Sequence, residues 1–231
     1  MKYFKLIQNK LNSVNPNNIS YSLKNGWRNP NIPKSQRKLT EKELSEMYRG
    51  NIIPAWSILA EILNDLNYNE QTLLEVGCAT GYHKEVLNYL LGRKVNYYGL
   101  DYSNSMIKMA KQYYPKTYFM IGDATSLPFP NNSFDILISG CVILHVQDYK
   151  KVIIESVRVS RKWIILHKTP IINGKTKYFK KKAYGVPCFE IHFNEKEILN
   201  ILSNEGLFLR NKLVIKERPY FQITYLYEKK I

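Results

Sequence analysis

Residues 73–81 read Leu73-Leu74-Glu75-Val76-Gly77-Cys78-Ala79-Thr80-Gly81, a short apolar strand that runs straight into a glycine-spaced turn. At the carboxyl edge of an open α/β sheet, glycines in such a turn let the backbone approach a small molecule. An acid just ahead of the turn can hold a cationic or hydroxylated part of that molecule. Gly77 and Gly81 are those glycines, and Glu75 is that acid. Downstream, Asn96–Asp101 reads as a second strand whose last residue is a carboxylate 20 residues after Gly81. That spacing suits an acid that takes hydrogen bonds from ribose hydroxyls. Tyr118–Asp123 reads as a third strand with an acid at its tip, and Phe134–Gly140 as a fourth. Four βα units with polar residues at their carboxyl ends describe a nucleoside pocket at a topological switch point.

The loop does not suit a pyrophosphate. Dinucleotide loops carry Gly-x-Gly-x-x-Gly and P-loops add Lys with Ser or Thr. Here the spacing is Gly-x-x-x-Gly with a carboxylate two residues before the first glycine, which repels phosphate. A nucleoside with a positive substituent fits better.

On these residues the chain resembles the class I S-adenosylmethionine-dependent methyltransferases, in particular the small type 11 methyltransferase domains. The resemblance covers residues 40–165 in order, plus a two-strand ending. It implies a Rossmann-like α/β fold: a seven-stranded, mostly parallel sheet in the order 3-2-1-4-5-7-6, last strand antiparallel, helices on both faces. It implies S-adenosyl-L-methionine as cofactor, S-adenosyl-L-homocysteine as product, and no metal. By resemblance, Glu75, Gly77, Cys78, Ala79 and Gly81 form the loop beside the methionine part, and Asp101 is the ribose-binding acid. Tyr102 and Met106 pack by the adenine, Asp123 and Ala124 are the adenine-edge pair, and Ser139 and Gly140 close the site from the fourth strand. Ala79 stands where the family has its middle glycine, which is tolerable unless φ is positive there.

Composition agrees with one domain. At 231 residues and 45% hydrophobic content the chain can bury a core without metal or disulfide support. Cys78, Cys141 and Cys188 are odd in number and widely spaced, as expected of reduced cysteines in a cytoplasmic protein. No apolar run of membrane-spanning length and no signal-peptide core is present. Residues 1–39 read as an N-terminal extension in which Phe4, Ile7, Leu11 and Val14 share one helical face, a basic amphipathic helix that packs on the domain or makes a weak membrane contact. The domain itself is read over 40–231. Its first helix is expected from Thr40 as N-cap with Glu43 three residues on, and Tyr48, Arg49 and Trp56 are candidates to face the pocket. After a fifth strand at Lys162–Lys168, residues 170–193 form an insertion that caps the acceptor side. Asn194 and Glu197 then open the last helix as a capping box, and Leu213–Glu217 with Phe221–Tyr227 form the final antiparallel pair.

The net charge is +15, of which residues 161–231 carry +9. Between Arg161 and Lys182 lie eight basic residues and no acid, which points to an anionic acceptor such as a phosphorylated sugar, nucleotide-linked sugar or glycan precursor. Scattered residues from His167 to Glu190 are also similar to methyltransferases of bacterial surface-glycan synthesis. O-methylation of such a hydroxyl calls for a base, and His167 and His145 lie where the sheet's carboxyl edge should be. His192 and Glu190 are further candidates from the insertion, and His83 is expected to cap or pack the first core helix. Two other readings stay open. An RNA methyltransferase would stack bases on Tyr178, Phe179 and Tyr184. A non-catalytic scaffold would use only the basic face.

Overall fold

Along the chain, the computed structural model, which describes residues 12–66, 69–216 and 221–230, begins β1 (Asn12–Val14), α1 (Tyr21–Lys24), α2 (Ile32–Tyr48) and α3 (Pro54–Asp65). It continues β2 (Thr72–Val76), α4 (His83–Leu90), β3 (Asn96–Asp101), α5 (Asn104–Tyr113), β4 (Tyr118–Ile121), β5 (Phe134–Gly140), α6 (Tyr149–Val159) and β6 (Ser160–Ile172). It ends β7 (Lys177–Ala183), β8 (Val186–Asn194), α7 (Glu195–Asn204), β9 (Leu207–Lys216) and β10 (Phe221–Lys229).

Seven of these strands lie in the order β4-β3-β2-β5-β6-β10-β9, parallel from β4 to β6, with β10 antiparallel to both neighbours. This is the expected 3-2-1-4-5-7-6 order. Both faces are covered, so successive residues of one strand enter different cores. Leu73, Ile136, Ile138 and Ile165 pack with α3 and α5, and Leu74, Leu137 and Leu166 pack with α6 and α7.

The expected count of seven is corrected to ten, because β6 outgrows β5. The β5–β6 ladder stops at Gly140 and His167, and four residues further on the same edge of β6 takes β8 in parallel at Ile171 and Ile172. The insertion is thus a β7–β8 hairpin with β1 added outside it. Between the two ladders Lys168 has φ +56°, and the register of β10 slips between Ile223 and Tyr225. The bulge parts the sheet and leaves an opening flanked by β5 and β8.

Two expectations about the first 48 residues are corrected. Residues 12–14 are extended on β7, so the expected helix does not include Val14; the rest of that segment, 1–11, lies outside the described residues. An open strand edge offers these residues backbone partners that an isolated helical turn lacks. The helix expected from Thr40 starts at Ile32, so Thr40 is buried mid-helix and residues 39 and 40 share one element. Pro33 sits in the first turn of α2, where a missing N–H costs nothing.

The last helix does start at its expected cap. The Asn194 side chain accepts the Glu197 N–H at 3.1 Å. The other half of the box is relayed: Thr176 Oγ1 accepts the Asn194 N–H at 2.9 Å and is itself held on the Glu197 carboxylate. Asn194→Ala is expected to lower the unfolding free energy by about 1 kcal/mol in urea titrations. A variant as stable as the parent would show that Thr176 caps the helix unaided.

Candidate functional site

Two carboxylates end adjacent parallel strands. Asp101 closes β3, and each of its oxygens accepts one backbone N–H at 2.9 Å, from Ala79 and from Ser103. To aim its N–H there, Ala79 takes φ +49°, the left-handed conformation the sequence flagged as the one an alanine tolerates poorly. That costs about 1 kcal/mol relative to glycine. Burial pushes the Asp101 carboxyl up to about 6, against those N–H groups. Glu75, one strand over, is buried as well. Its Oε1 lies 2.7 Å from His83 Nδ1 at the start of α4, and its Oε2 accepts the Tyr97 hydroxyl. Gly140 makes room for it: a Cβ there would lie 2.3 Å from Glu75 Oε1. Gly77 has φ +75° and passes so close to Val142 that a Cβ would meet it at 2.9 Å.

A cleft of about 3310 Å³ opens above these strand ends. It is lined by Glu75, Gly77, Cys78, Ala79, Asp101, Tyr102, Met106, Asp123, Ala124, Gly140, His145 and His167. Gly81 and Ser139 do not line it: Gly81 closes the turn with its N–H on the Cys78 carbonyl, and the Ser139 hydroxyl is buried. Burial drives the Cys78 thiol well above its ordinary value, so it packs as a small apolar group. Asp123 is exposed and turned onto its own loop, where Oδ1 accepts the N–H and the hydroxyl of Thr125 at 2.8 Å each. Of the three lid candidates, Arg49 and Trp56 line the cleft, but Tyr48 lies in a separate groove with its hydroxyl on Glu85.

The N-terminal strap supplies residues the sequence reading missed. Arg28 stacks over the Tyr102 ring at 4.8 Å, and the Trp27 backbone N–H meets the Tyr102 hydroxyl. The Trp27 ring lies 4.9 Å from the His145 ring. On the far side, Glu43 from α2 faces Lys168, and burial raises the Glu43 carboxyl. Nothing local in the sequence marks Trp27, and Glu43 is expected only to cap a helix that in fact starts at Ile32; both meet the cleft through contacts between distant elements.

The two candidate bases differ. The His145 Nδ1 lies 2.9 Å from the Phe189 carbonyl; a carbonyl only accepts, so Nδ1 carries the proton and Nε2 is left as a lone-pair acceptor. His167 is 1% exposed, with Nδ1 3.1 Å from Thr224 Oγ1 and Nε2 buried. Burial drives both imidazoles well below their ordinary value, so both are neutral at pH 7. Of the insertion candidates, Glu190 lines the cleft and His192 stands behind it. The basic run is also corrected: Lys175, Lys177, Lys180 and Lys182 are exposed, but Lys181 turns inward to an ion pair with Glu190. Among the described residues no group of three or more His, Cys, Asp or Glu is placed to hold a metal ion, and no helix is long and apolar enough to cross a membrane.

This arrangement is shared with known proteins. The chain is built on the class I S-adenosylmethionine-dependent methyltransferase fold, and residues 74–163 match the family model described as a methyltransferase domain. A demethylmenaquinone methyltransferase of Anoxybacillus flavithermus is 34% identical over 126 residues, 50% of this chain and 53% of that protein. A probable S-adenosylmethionine-dependent methyltransferase of Mycolicibacterium smegmatis is 30% identical over 89 residues, 38% of this chain and 34% of that protein. The chain thus spans about half the length, or less, of these curated relatives. Among solved structures, a Burkholderia thailandensis 1,6-didemethyltoxoflavin-N1-methyltransferase superposes with TM-score 0.65 at 11% identity, covering 96% of this chain and 95% of that one. A Clostridium acetobutylicum S-adenosylmethionine-dependent methyltransferase gives 0.61 at 16% identity, over 84% and 99%.

The carboxyl of Asp101 titrates near 6 in the fold against an ordinary 3.8, so its contribution to stability is present below about pH 4 and is lost as pH rises through 6. Between pH 4 and pH 7.5 the stability of the ligand-free protein relative to Asp101→Asn is expected to fall by about 2 kcal/mol. Parallel stability curves for the two proteins would show that Asp101 is already ionised at pH 4.

Proposed function

We propose that the chain binds S-adenosylmethionine and transfers its methyl group to a hydroxyl of a small, anionic acceptor such as a sugar phosphate or nucleotide sugar. One observation carries this reading. The doubly hydrogen-bonded Asp101 carboxylate and a neutral histidine with a free Nε2 line the same cleft, on either side of the parted sheet.

The residues fit the cofactor. The Asp101 carboxylate lines the cleft with acceptor capacity beyond the N–H bonds from Ala79 and Ser103, which suits ribose hydroxyls. Glu75 and the Gly77 turn suit the ammonium end of the methionine part, and Tyr102, Met106, Asp123 and Ala124 surround the place for adenine. When bound, the cofactor supplies a methyl carbon already activated on a sulfonium, so these residues position and exclude water. His145 takes the acceptor proton on Nε2. It is favoured over His167, whose Nε2 is sealed inside the protein and whose role is to brace β6 on β10.

The exposed lysines of the hairpin support an anionic acceptor. The RNA reading is less well supported, because two of its three aromatic residues are used internally: Tyr178 stacks on Phe189 at 6.5 Å and Phe179 packs on His192 at 4.7 Å. The names of similar proteins include a demethylmenaquinone methyltransferase and a 1,6-didemethyltoxoflavin-N1-methyltransferase, so ring compounds, ring nitrogens included, belong in any acceptor screen.

Calorimetry with S-adenosylhomocysteine tests the cofactor. Binding is expected to tighten as pH rises through about 6, because the ionised Asp101 accepts the ribose hydroxyls, and to level off above. Asp101→Ala should lose about 2–4 kcal/mol of affinity with the fold intact; equal affinity would remove Asp101 from the site.

Methyl transfer from radiolabelled S-adenosylmethionine to a panel of sugar phosphates, nucleotide sugars and phenols tests the acceptor. With whichever acceptor is found, His145→Ala should lower kcat by roughly 10²–10⁴-fold while S-adenosylhomocysteine still binds, and His167→Ala should mainly lower stability. The reverse pattern would make His167 the base.

A further inference from the structure

Three ionisable side chains of the hairpin meet behind His145. Glu190 and His192 are two residues apart on β8 and so point the same way, and Lys181 on β7 is the diagonal neighbour of Glu190, since Lys181 pairs with Cys188 and Phe179 with Glu190. The Glu190 carboxylate takes the Lys181 ammonium on one oxygen and His192 Nε2 on the other, at 2.7 Å for the histidine. The side chains are 20%, 2% and 1% exposed for Lys181, Glu190 and His192. A buried ion pair is a poor stabiliser, because desolvation offsets its attraction and an apolar pair would hold a hairpin as well. What a cation adds is charge at a chosen place. Here that place is the cleft, which Lys181, Glu190 and His145 all line. His145 is tied to the same strand, through the carbonyl of the residue before Glu190.

We propose that Lys181, resting on Glu190 beside His145, sets the charge of the base site and stabilises the negative charge that develops on an acceptor oxygen as its proton leaves. This rests on the methyltransferase reading with His145 as base. In the step, the acceptor O–H proton goes to His145 Nε2 and the oxygen pair forms the new O–CH₃ bond. The C–S bond breaks with its electrons returning to sulfur, so a sulfonium becomes a neutral thioether and one proton is left on the imidazole. Lys181 keeps its proton throughout. A fixed cation at this point favours hydroxyl acceptors and repels ammonium groups, which selects alcohols or phenols over amines.

The groups facing His145 make the consequence specific. Lys181 comes from β7, Glu190 and His192 from β8, and the uncharged Trp27 from the strap. Burial and Lys181 hold His192 at about 4, so at neutral pH the charges near His145 are the ammonium and its carboxylate. Lys181 is also among the causes that keep His145 neutral.

The test is a titration of the four histidines by ¹³C-resolved NMR in the full chain, with and without saturating S-adenosylhomocysteine, His145 being assigned by its loss in His145→Gln. In Lys181→Met the His145 titration is expected to move up by about one pH unit or more, and Lys181→Arg should return it to the parent value. An unmoved His145 in a folded Lys181→Met protein overturns the proposal. Should that variant fail to fold with Glu190 left unpaired, the double variant Lys181→Met/Glu190→Gln removes the stranded charge; an upward move is again expected, smaller because the carboxylate is lost with the ammonium, and its absence is equally fatal. Calorimetry on the same samples separates the two ideas. Failure to bind S-adenosylhomocysteine counts against the cofactor reading, and the histidine titration judges Lys181 whichever way that falls.

Discussion

Two carboxylates buried at the ends of neighbouring parallel strands constrain everything around them, because a buried charge without partners would cost several kcal/mol. Asp101 is satisfied by backbone, and the backbone is bent to do it: Ala79 goes left-handed so that its N–H reaches the acid. Glu75 is satisfied by side chains, His83 from the next helix and Tyr97 from the next strand. The loop between β2 and α4, the start of α4 and the tip of β3 are therefore fixed by two acids. Gly140 belongs to the same constraint from the other side, since any side chain there would strike Glu75. The result is a preformed rim of acceptors and small residues over which a hydroxylated, positively charged nucleoside can lie.

The second constraint is the length of β6. A parallel neighbour that stops at Gly140 leaves the continuing edge of β6 with unpaired backbone groups, and β8 takes them up from Ile171 onward. The residues in between have no β5 to pair with, and the left-handed Lys168 opens the sheet at that point. The cleft is this opening. Its outer wall is the hairpin, which presents Glu190 and Lys181, and its lid is the strap whose Trp27 and Arg28 bridge His145 and Tyr102. Through Arg28 the strap touches Tyr102 and through Trp27 it touches the proposed base.

The loop motif, the acids at strand tips and the strands themselves are set by local sequence, for a physical reason: each depends on residues within a few positions of one another, whereas the strand order is expected only from the family resemblance. Glu75 to Gly81 specify a strand, a turn and close backbone approach, and the apolar runs at 96–101, 118–121 and 134–140 specify buried parallel strands wherever they meet. The departure at Ala79 was legible too, but its left-handed φ, the one condition under which alanine is strained, came from the structure. What only the tertiary structure decided is every property that depends on distant segments. The tautomer of His145 is set by a carbonyl 44 residues away, and the burial of His167 by Thr224 across the sheet. Lys181 sits in a run of lysines that reads as one basic face for an anionic acceptor, and only its diagonal pairing with Glu190 turns it inward. Val14 is drawn into a strand by an edge that forms some 165 residues later in the chain. Local pattern determines which element a residue joins; which partner a side chain finds, and so its charge and its chemistry, is determined by the packing of elements that the sequence does not place side by side.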